Sequence, residues 1–429
     1  MRASHVWMAV PCVALSTVLG AACGARTDLE APGRSHSEPQ QSPEEICAKL
    51  EAGLEPVQVD LFFLFDASGS MSEATVEGIS KWQALTQAMW AFLFDPSAAG
   101  LKIGISFFPQ HNYQVPAFCA GGFGCAGSQD CVPYGVCVPS GATMCSTDAQ
   151  CPTQGEHCQL SGYCPLGGEC DPSVGGCAQG ECAGIGYCAS HTKCDNESYR
   201  ITGLSQLPDD AFGVANAIEA HTLDGFTPTL PAYDGVMQSA IDWQADNPDD
   251  LIITVLATDG FPTLCDPSLQ ESGIEAGIAN LASVAQEGSD HGLRSYVLGV
   301  FNAQEEESAR ERLDTIAEAG GTGTAHVVRT DEDVAGEMVE ALNDLRLENA
   351  CSFALPPGIE QLDLNQLSVT AKLENGDTLD LVLRTNAAAC DSTGGYYFDP
   401  PPPAIPHHIV LCESSCAAHP VSIVVTCKD

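Results

Sequence analysis

Residues 61–71 read LFFLFDASGSM, and Asp66, Ser68 and Ser70 stand at every second position directly after five apolar residues. In an extended turn alternate side chains point the same way, so one carboxylate and two hydroxyls can converge just beyond a strand end. Hard oxygen donors with few carboxylates suit Mg²⁺ or Mn²⁺ ahead of Ca²⁺, which takes more ligands. A cation held by so little negative charge stays electrophilic and keeps a position open for an acidic group from outside. Rival chemistries lack their residues. A phosphatase with an aspartyl nucleophile would carry an acid where Ser68 stands, and ASGSM is not the G-x-S-x-G elbow of a hydrolase. His221, His291, His407 and His408 fall in helix ends, loops or a Pro-rich turn, so the chain reads as a non-enzyme.

These residues need a scaffold, and the 429-residue chain has room for two or three domains. VQVDLFFLF (57–65) predicts a strand buried on both faces, followed by a helix over 77–94 and a second strand, LKIGISFFP (101–109). ESYRITGL predicts a short edge strand; further strands are LIITVLATDG, RSYVLGVF and AHVV. Helices over 209–221, 231–246, 273–287, 305–319 and 331–347 alternate with them. This alternation predicts an α/β fold with a doubly wound, mainly parallel sheet, whose binding sites lie at the carboxyl ends of the strands.

Two more loops complete the oxygen-donor set. DGFTPTLPAYDG places Thr227 and VLATDGFPT places Asp259. Together with D-x-S-x-S, in this order over residues 57–347, they resemble the von Willebrand factor type A (VWA) domain and its metal-ion-dependent adhesion site (MIDAS). The resemblance implies a Rossmann-like VWA domain. It implies a divalent cation bound by Asp66, Ser68, Ser70, Thr227 and Asp259, the hydroxyls directly and the aspartates directly or through water. The implied partner is a protein ligand whose accessible carboxylate completes the coordination.

The cysteines bear on compartment. Of 22, Cys12 lies in an apolar N-terminal run and Cys23 at its end, leaving an even 20 for disulfides outside the cytoplasm. Thirteen lie between Cys119 and Cys194, spaced mostly by five or six residues among Gly, Pro and Asp, as in a small tandem disulfide-stapled module. Zinc is the weaker reading there, because the region has no C-x-x-C pair and only His157 and His191 as nitrogen ligands. The module leaves the carboxyl end of the second strand and so should rise beside the metal site. Cys265, six residues past Asp259, is expected to pair with Cys194, leaving the other twelve to pair internally. Cys351, Cys390, Cys412, Cys416 and Cys427 number five, with Cys47 a natural sixth; Cys412 and Cys416 with His407 and His408 are a weaker metal reading.

At the N-terminus Met1 and Arg2 precede an apolar run from Val6 to Leu19, too short to span a membrane, as in an export signal. LGAAC is similar to a bacterial lipobox, which implies lipidation of Cys23 and, with Gly24 following, the outer membrane. The expected layout is 1–23 signal, 24–50 disordered tether, 51–118 and 195–347 VWA domain, 119–194 cysteine-rich insertion and 351–429 a small disulfide-bonded β tail. That arrangement is similar to Gram-negative bacterial surface lipoproteins. A net charge of −41, from 57 acidic against 16 basic residues, excludes nucleic acid as a partner and leaves the membrane reachable only through the lipid anchor. Two functions fit: metal-dependent recognition of a protein at the cell surface, or a metal-independent envelope scaffold.

Overall fold

Eight consecutive buried residues, Val59–Asp66, form the central strand β1 of the computed structural model. It describes residues 42–429 apart from 121–124, 126–130, 140–143, 152–154, 176, 374, 419 and 428–429. Leu61, Phe63 and Phe65 enter one core while Phe62 and Leu64 enter another, so a strand covered on both sides needs an apolar run without polar alternation. β1 lies parallel between β2 (Lys102–Phe108) and β4 (Leu251–Thr258). β5 (Arg294–Phe301) and β6 (His326–Arg329) extend the parallel sheet beyond β4, and the two-residue β3 (Ser205–Gln206) pairs antiparallel on the far edge. The resulting order is β3-β2-β1-β4-β5-β6. The direction of winding reverses between β1 and β4, and the crevice at their carboxyl ends is where such sheets bind ligands.

Six helices cover the sheet. α2 (Lys81–Leu93), α3 (Ala211–Glu219) and α8 (Val334–Ala350) pack on the face of Phe63; α4 (Thr229–Asp246), α6 (Ile274–Asp290) and α7 (Glu306–Ala319) pack on the face of Phe62. A short α5 (Ser268–Ser272) precedes α6. α2 begins four residues later than expected, because Ser80 forms a capping box with Gln83 that fixes the first turn there. The expected ESYRITGL strand is also corrected. Asn196–Tyr199 is a 3-10 turn instead, with Tyr199 buried and its hydroxyl donating to the Lys193 carbonyl at 2.7 Å, and the edge strand follows at β3.

The cysteine-rich insertion is built of short strands, with Gly135–Val138 pairing against His157–Leu160 and Ala183–Cys188 against Phe118–Ala120. Six disulfides join Cys119 to Cys131, Cys125 to Cys188, Cys137 to Cys151, Cys145 to Cys158, Cys164 to Cys177 and Cys170 to Cys182. A seventh bond joins Cys194 to Cys265. With so little apolar core, the bridges substitute for packing.

The C-terminal part forms two three-stranded sheets around a third core that includes Phe353, Val369, Tyr396, Phe398 and Val425. α1 (Pro43–Ala52) belongs to it, inserting Ile46 and Leu50, and Cys47 is bonded to Cys427. The tether expected over 24–50 is thus corrected at its end: Ser42 and Glu45 make a capping box, and burial of two apolar side chains orders residues 43–50. Cys351 pairs with Cys416 and Cys390 with Cys412, which removes both cysteines from the metal reading with His407 and His408. The signal, Cys23 and the tether up to residue 41 lie outside the described residues. Among the described residues no helix is long and apolar enough to cross a membrane.

Gly235 of α4 is where the insertion's exit meets the domain: an added Cβ would stand 2.2 Å from the Asn196 carbonyl oxygen. Gly235→Ala should therefore destabilise the folded chain by about 2 kcal/mol, seen as an earlier urea midpoint at an unchanged slope. An unchanged midpoint would contradict this packing.

Candidate metal centre

β1 ends at Asp66, whose side chain is wholly buried. One carboxylate oxygen accepts the Ser68 backbone N–H at 2.9 Å and the other accepts the Thr258 hydroxyl at 2.7 Å. The first bond turns the chain out of the strand; the second ties the end of β1 to the end of β4. Ser68 and Ser70 then lie with their hydroxyl oxygens 3.0 Å apart, and Ser70 donates to one oxygen of Asp259 at 2.8 Å. The Thr227 loop is zipped to the β4 loop by two bonds: the Thr227 N–H donates to the Thr263 hydroxyl and the Thr263 N–H to the Thr227 carbonyl, both at 3.0 Å. It also touches the first loop, where the Gly225 carbonyl accepts from Gly69 at 3.1 Å.

Ser68, Ser70, Thr227 and Asp259 line one cavity of about 360 Å³. Asp66 is not in that lining. Its carboxylate stands behind Ser68 and holds the loop. The insertion supplies part of the wall through Tyr134 and Val136, and Tyr134 and Tyr187 pack on Phe226 beside Thr227. Gln150, buried within the insertion, donates to the Thr263 carbonyl at 3.1 Å. The module therefore shapes the mouth of the cavity.

The main feature missed in the sequence is Lys81. Its ammonium donates to Asp259 at 2.9 Å and to Glu73 at 2.7 Å, and its side chain is only 7% exposed. Burial pulls the ammonium pKa down, but the Asp259 and Glu73 carboxylates more than reverse this and leave it above its ordinary value. A signal was available: Lys81 lies on the stripe of α2 shared by Ala84, Leu85, Ala88 and Phe92, all buried, where an unpaired lysine would be untenable. Thr258 and Glu305 were also missed; Glu305, at the start of α7, lines the cavity, and burial raises its carboxyl.

Burial, and then the charge of Asp259, push the Asp66 carboxyl up to about 7. Burial likewise raises Asp259, and Lys81 pulls it back only in part. In the cation-free chain the folded form thus binds a proton on Asp66 that the unfolded form releases near pH 4. Stability from this group is complete below that value and is lost as pH rises to about 7. Asp66→Asn should flatten the fall in urea stability between pH 5 and 7.5 in cation-free protein, by about 2 kcal/mol at the upper end. Parallel profiles for the two proteins would place the proton elsewhere.

No family model matches the chain, and no curated protein does. Among solved structures it is similar to the PilB minor pilin of Streptococcus sanguinis, at 12% identity and a TM-score of 0.35, over 68% of this chain and 61% of the pilin. A point mutant of that pilin gives 14% and 0.36 over the same shares. The pilus adhesin SpaC from Lactobacillus rhamnosus GG gives 12% and 0.40, over 87% of this chain and 39% of SpaC. The chain thus spans less than two thirds of the length of these proteins. The comparisons correct the resemblance to VWA domains and to Gram-negative surface lipoproteins: no model of that domain matches, and the structural neighbours are pilus proteins. Three short loops at the ends of parallel strands can present the same donor types on separate lineages, so a donor set does not carry membership.

Proposed function

We propose that the cavity binds Mg²⁺ or Mn²⁺ and that the ion recognises a carboxylate on a protein ligand, making the chain a metal-dependent adhesion or recognition protein. Ser68, Ser70, Thr227 and Asp259 are the proposed ligands, with Asp66 fixing the Ser68 loop or reaching the ion through water. The observation that carries the reading is the convergence of four oxygen-bearing side chains from three loops on one cavity at the reversal point of the sheet. Lys81 strengthens it. By neutralising Asp259 it keeps the site poor in negative charge, so a bound cation would remain attractive to an outside carboxylate.

The ten disulfides among the described residues belong to an oxidising compartment, as in an exported protein. Outer-membrane anchoring through a lipid on Cys23 is the finer proposal; the mass of the N-terminal peptide from membrane fractions tests it, and an unmodified Cys23 would sink it. A second reading, a metal-independent scaffold, is favoured by the Lys81 ammonium, which already satisfies Asp259 without any ion.

Calorimetric titration of Mg²⁺ and Mn²⁺ into the oxidised chain separates the two. One ion per chain is expected, with Ca²⁺ weaker, binding lost in Asp259→Ala and about tenfold weaker in Ser70→Ala. Lys81→Met should bind the ion about tenfold more tightly, because it removes a cation about 3 Å from a ligand. A short acidic peptide should then bind only with the ion present. No ion uptake by the parent, or uptake indifferent to Ser70→Ala, leaves the scaffold reading.

A further inference from the structure

The insertion enters and leaves the domain through a narrow neck. His111, three residues past the end of β2, is bridged to Thr192, and the Asn112 N–H donates to the His191 carbonyl at 2.6 Å. This pairing stacks the two imidazoles at a centroid separation of 4.6 Å and an interplanar angle of 23°. Asp224, on the loop leading to Thr227, completes the group: one donor atom from each of His111, His191 and Asp224 lies within 4.8 Å of the others.

Three details distinguish this group from an incidental stack. The Nδ1 of His191 lies 2.7 Å from the Val115 carbonyl, which can only accept, so Nδ1 carries the proton and the Nε2 lone pair is free. A backbone carbonyl orienting one imidazole nitrogen in this way is the usual support of a metal-ligating histidine. His111 is half-buried, and its Nδ1 is buried without a hydrogen-bond partner among the described residues, an arrangement that is costly unless something occupies it. Asp224, by contrast, is exposed, while its backbone is fixed by an N–H bond to the Ala67 carbonyl at 3.1 Å. A tetrahedral ion needs donors about 3.3 Å apart, within reach of a side-chain rotation from the observed spacing.

We propose that His111, His191 and Asp224 form a second metal site, separate from the cavity, for an imidazole-preferring divalent ion such as Zn²⁺. Two imidazoles and one carboxylate suit Zn²⁺ and disfavour Mg²⁺. Three protein ligands leave a position for water. The ion would clasp both strands of the neck to the 224–227 loop. Gly225 is the contact between them, since an added Cβ there would stand 2.8 Å from a ring carbon of His111.

The test is titration of Zn²⁺ alone into the chelator-stripped full chain with its disulfides intact, with Co²⁺ absorption as the spectroscopic readout. One Zn²⁺ per chain is expected, bound at least tenfold more weakly by Asp224→Asn, His191→Gln and His111→Gln, with loss of the tetrahedral Co²⁺ bands. The exposed Asp224→Asn carries the result if a histidine variant misfolds, judged by its urea midpoint. No Zn²⁺ uptake by the parent at micromolar protein, or uptake surviving Asp224→Asn in full, overturns the proposal. Uptake that leaves instead with Asp259→Ala also overturns it and assigns the ion to the cavity, so this site and the proposed Mg²⁺ or Mn²⁺ site stand or fall apart.

Discussion

The hydrogen bond from the Thr258 hydroxyl to the buried Asp66 carboxylate joins the ends of the two strands between which the sheet changes its direction of winding. Everything at the candidate centre is hung from that junction. Asp66 also fixes the Ser68 N–H, so the same carboxylate sets both the separation of the strands and the turn that delivers Ser68 and Ser70. A buried carboxylate is costly, and burial and the charge of Asp259 drive it toward protonation. The scaffold can carry this because β1 and β4 are buried along their whole length and otherwise apolar except at Asp60, which accepts from Lys102 and Trp243, and Thr254, which pairs with Ser295.

The sheet was legible because its central strands are covered on both faces and so write long apolar runs into the chain. LFFLF and LIITVLAT have no other comfortable place in a soluble fold. The edge strand was misplaced because its two residues carry no periodicity and because Tyr199 is buried as a plug, with an apolar signal that a strand would share. α1 was read as tether since Pro43, Glu44 and Glu45 resemble linker composition. Their role in a helix start, and the burial of Ile46 and Leu50, depend on a tail more than 300 residues away in the chain.

Side chains at the site divide the same way. Asp66, Ser68 and Ser70 announce themselves by alternation, whereas Lys81 looks like any helical lysine until the apolar stripe beneath it is noticed. Tyr134 and Val136 sit in a loop-rich module whose cysteine spacing dictates staples and says nothing about which face turns to the cavity. His111 stands eight residues before the first insertion cysteine and His191 three before the last, so counting ligands inside the module separates a pair that the neck brings into contact. The motif likeness failed for a related reason: it compared donors, while membership depends on the chain between them.

The loop from Asp224 to Thr227 gives the two proposed sites a common part. Its first residue bonds Ala67, its second carries the carbonyl that accepts from Gly69 and lies against the His111 ring, and its last lines the cavity. Four residues cannot absorb a shift at one end without passing it to the other when both ends are bonded to packed backbone. The disulfide from Cys194 to Cys265 also restrains the neck, and Cys265 holds a left-handed backbone with φ of 65° that is uncommon for a non-glycine residue. An insertion fixed at both flanks of the cavity moves as part of its wall. On the proposed reading, a ligand reaching an ion at Ser68 and Ser70 would therefore also have to fit Tyr134 and Val136, which would put selectivity for the partner in the disulfide module and the ion's chemistry in the sheet.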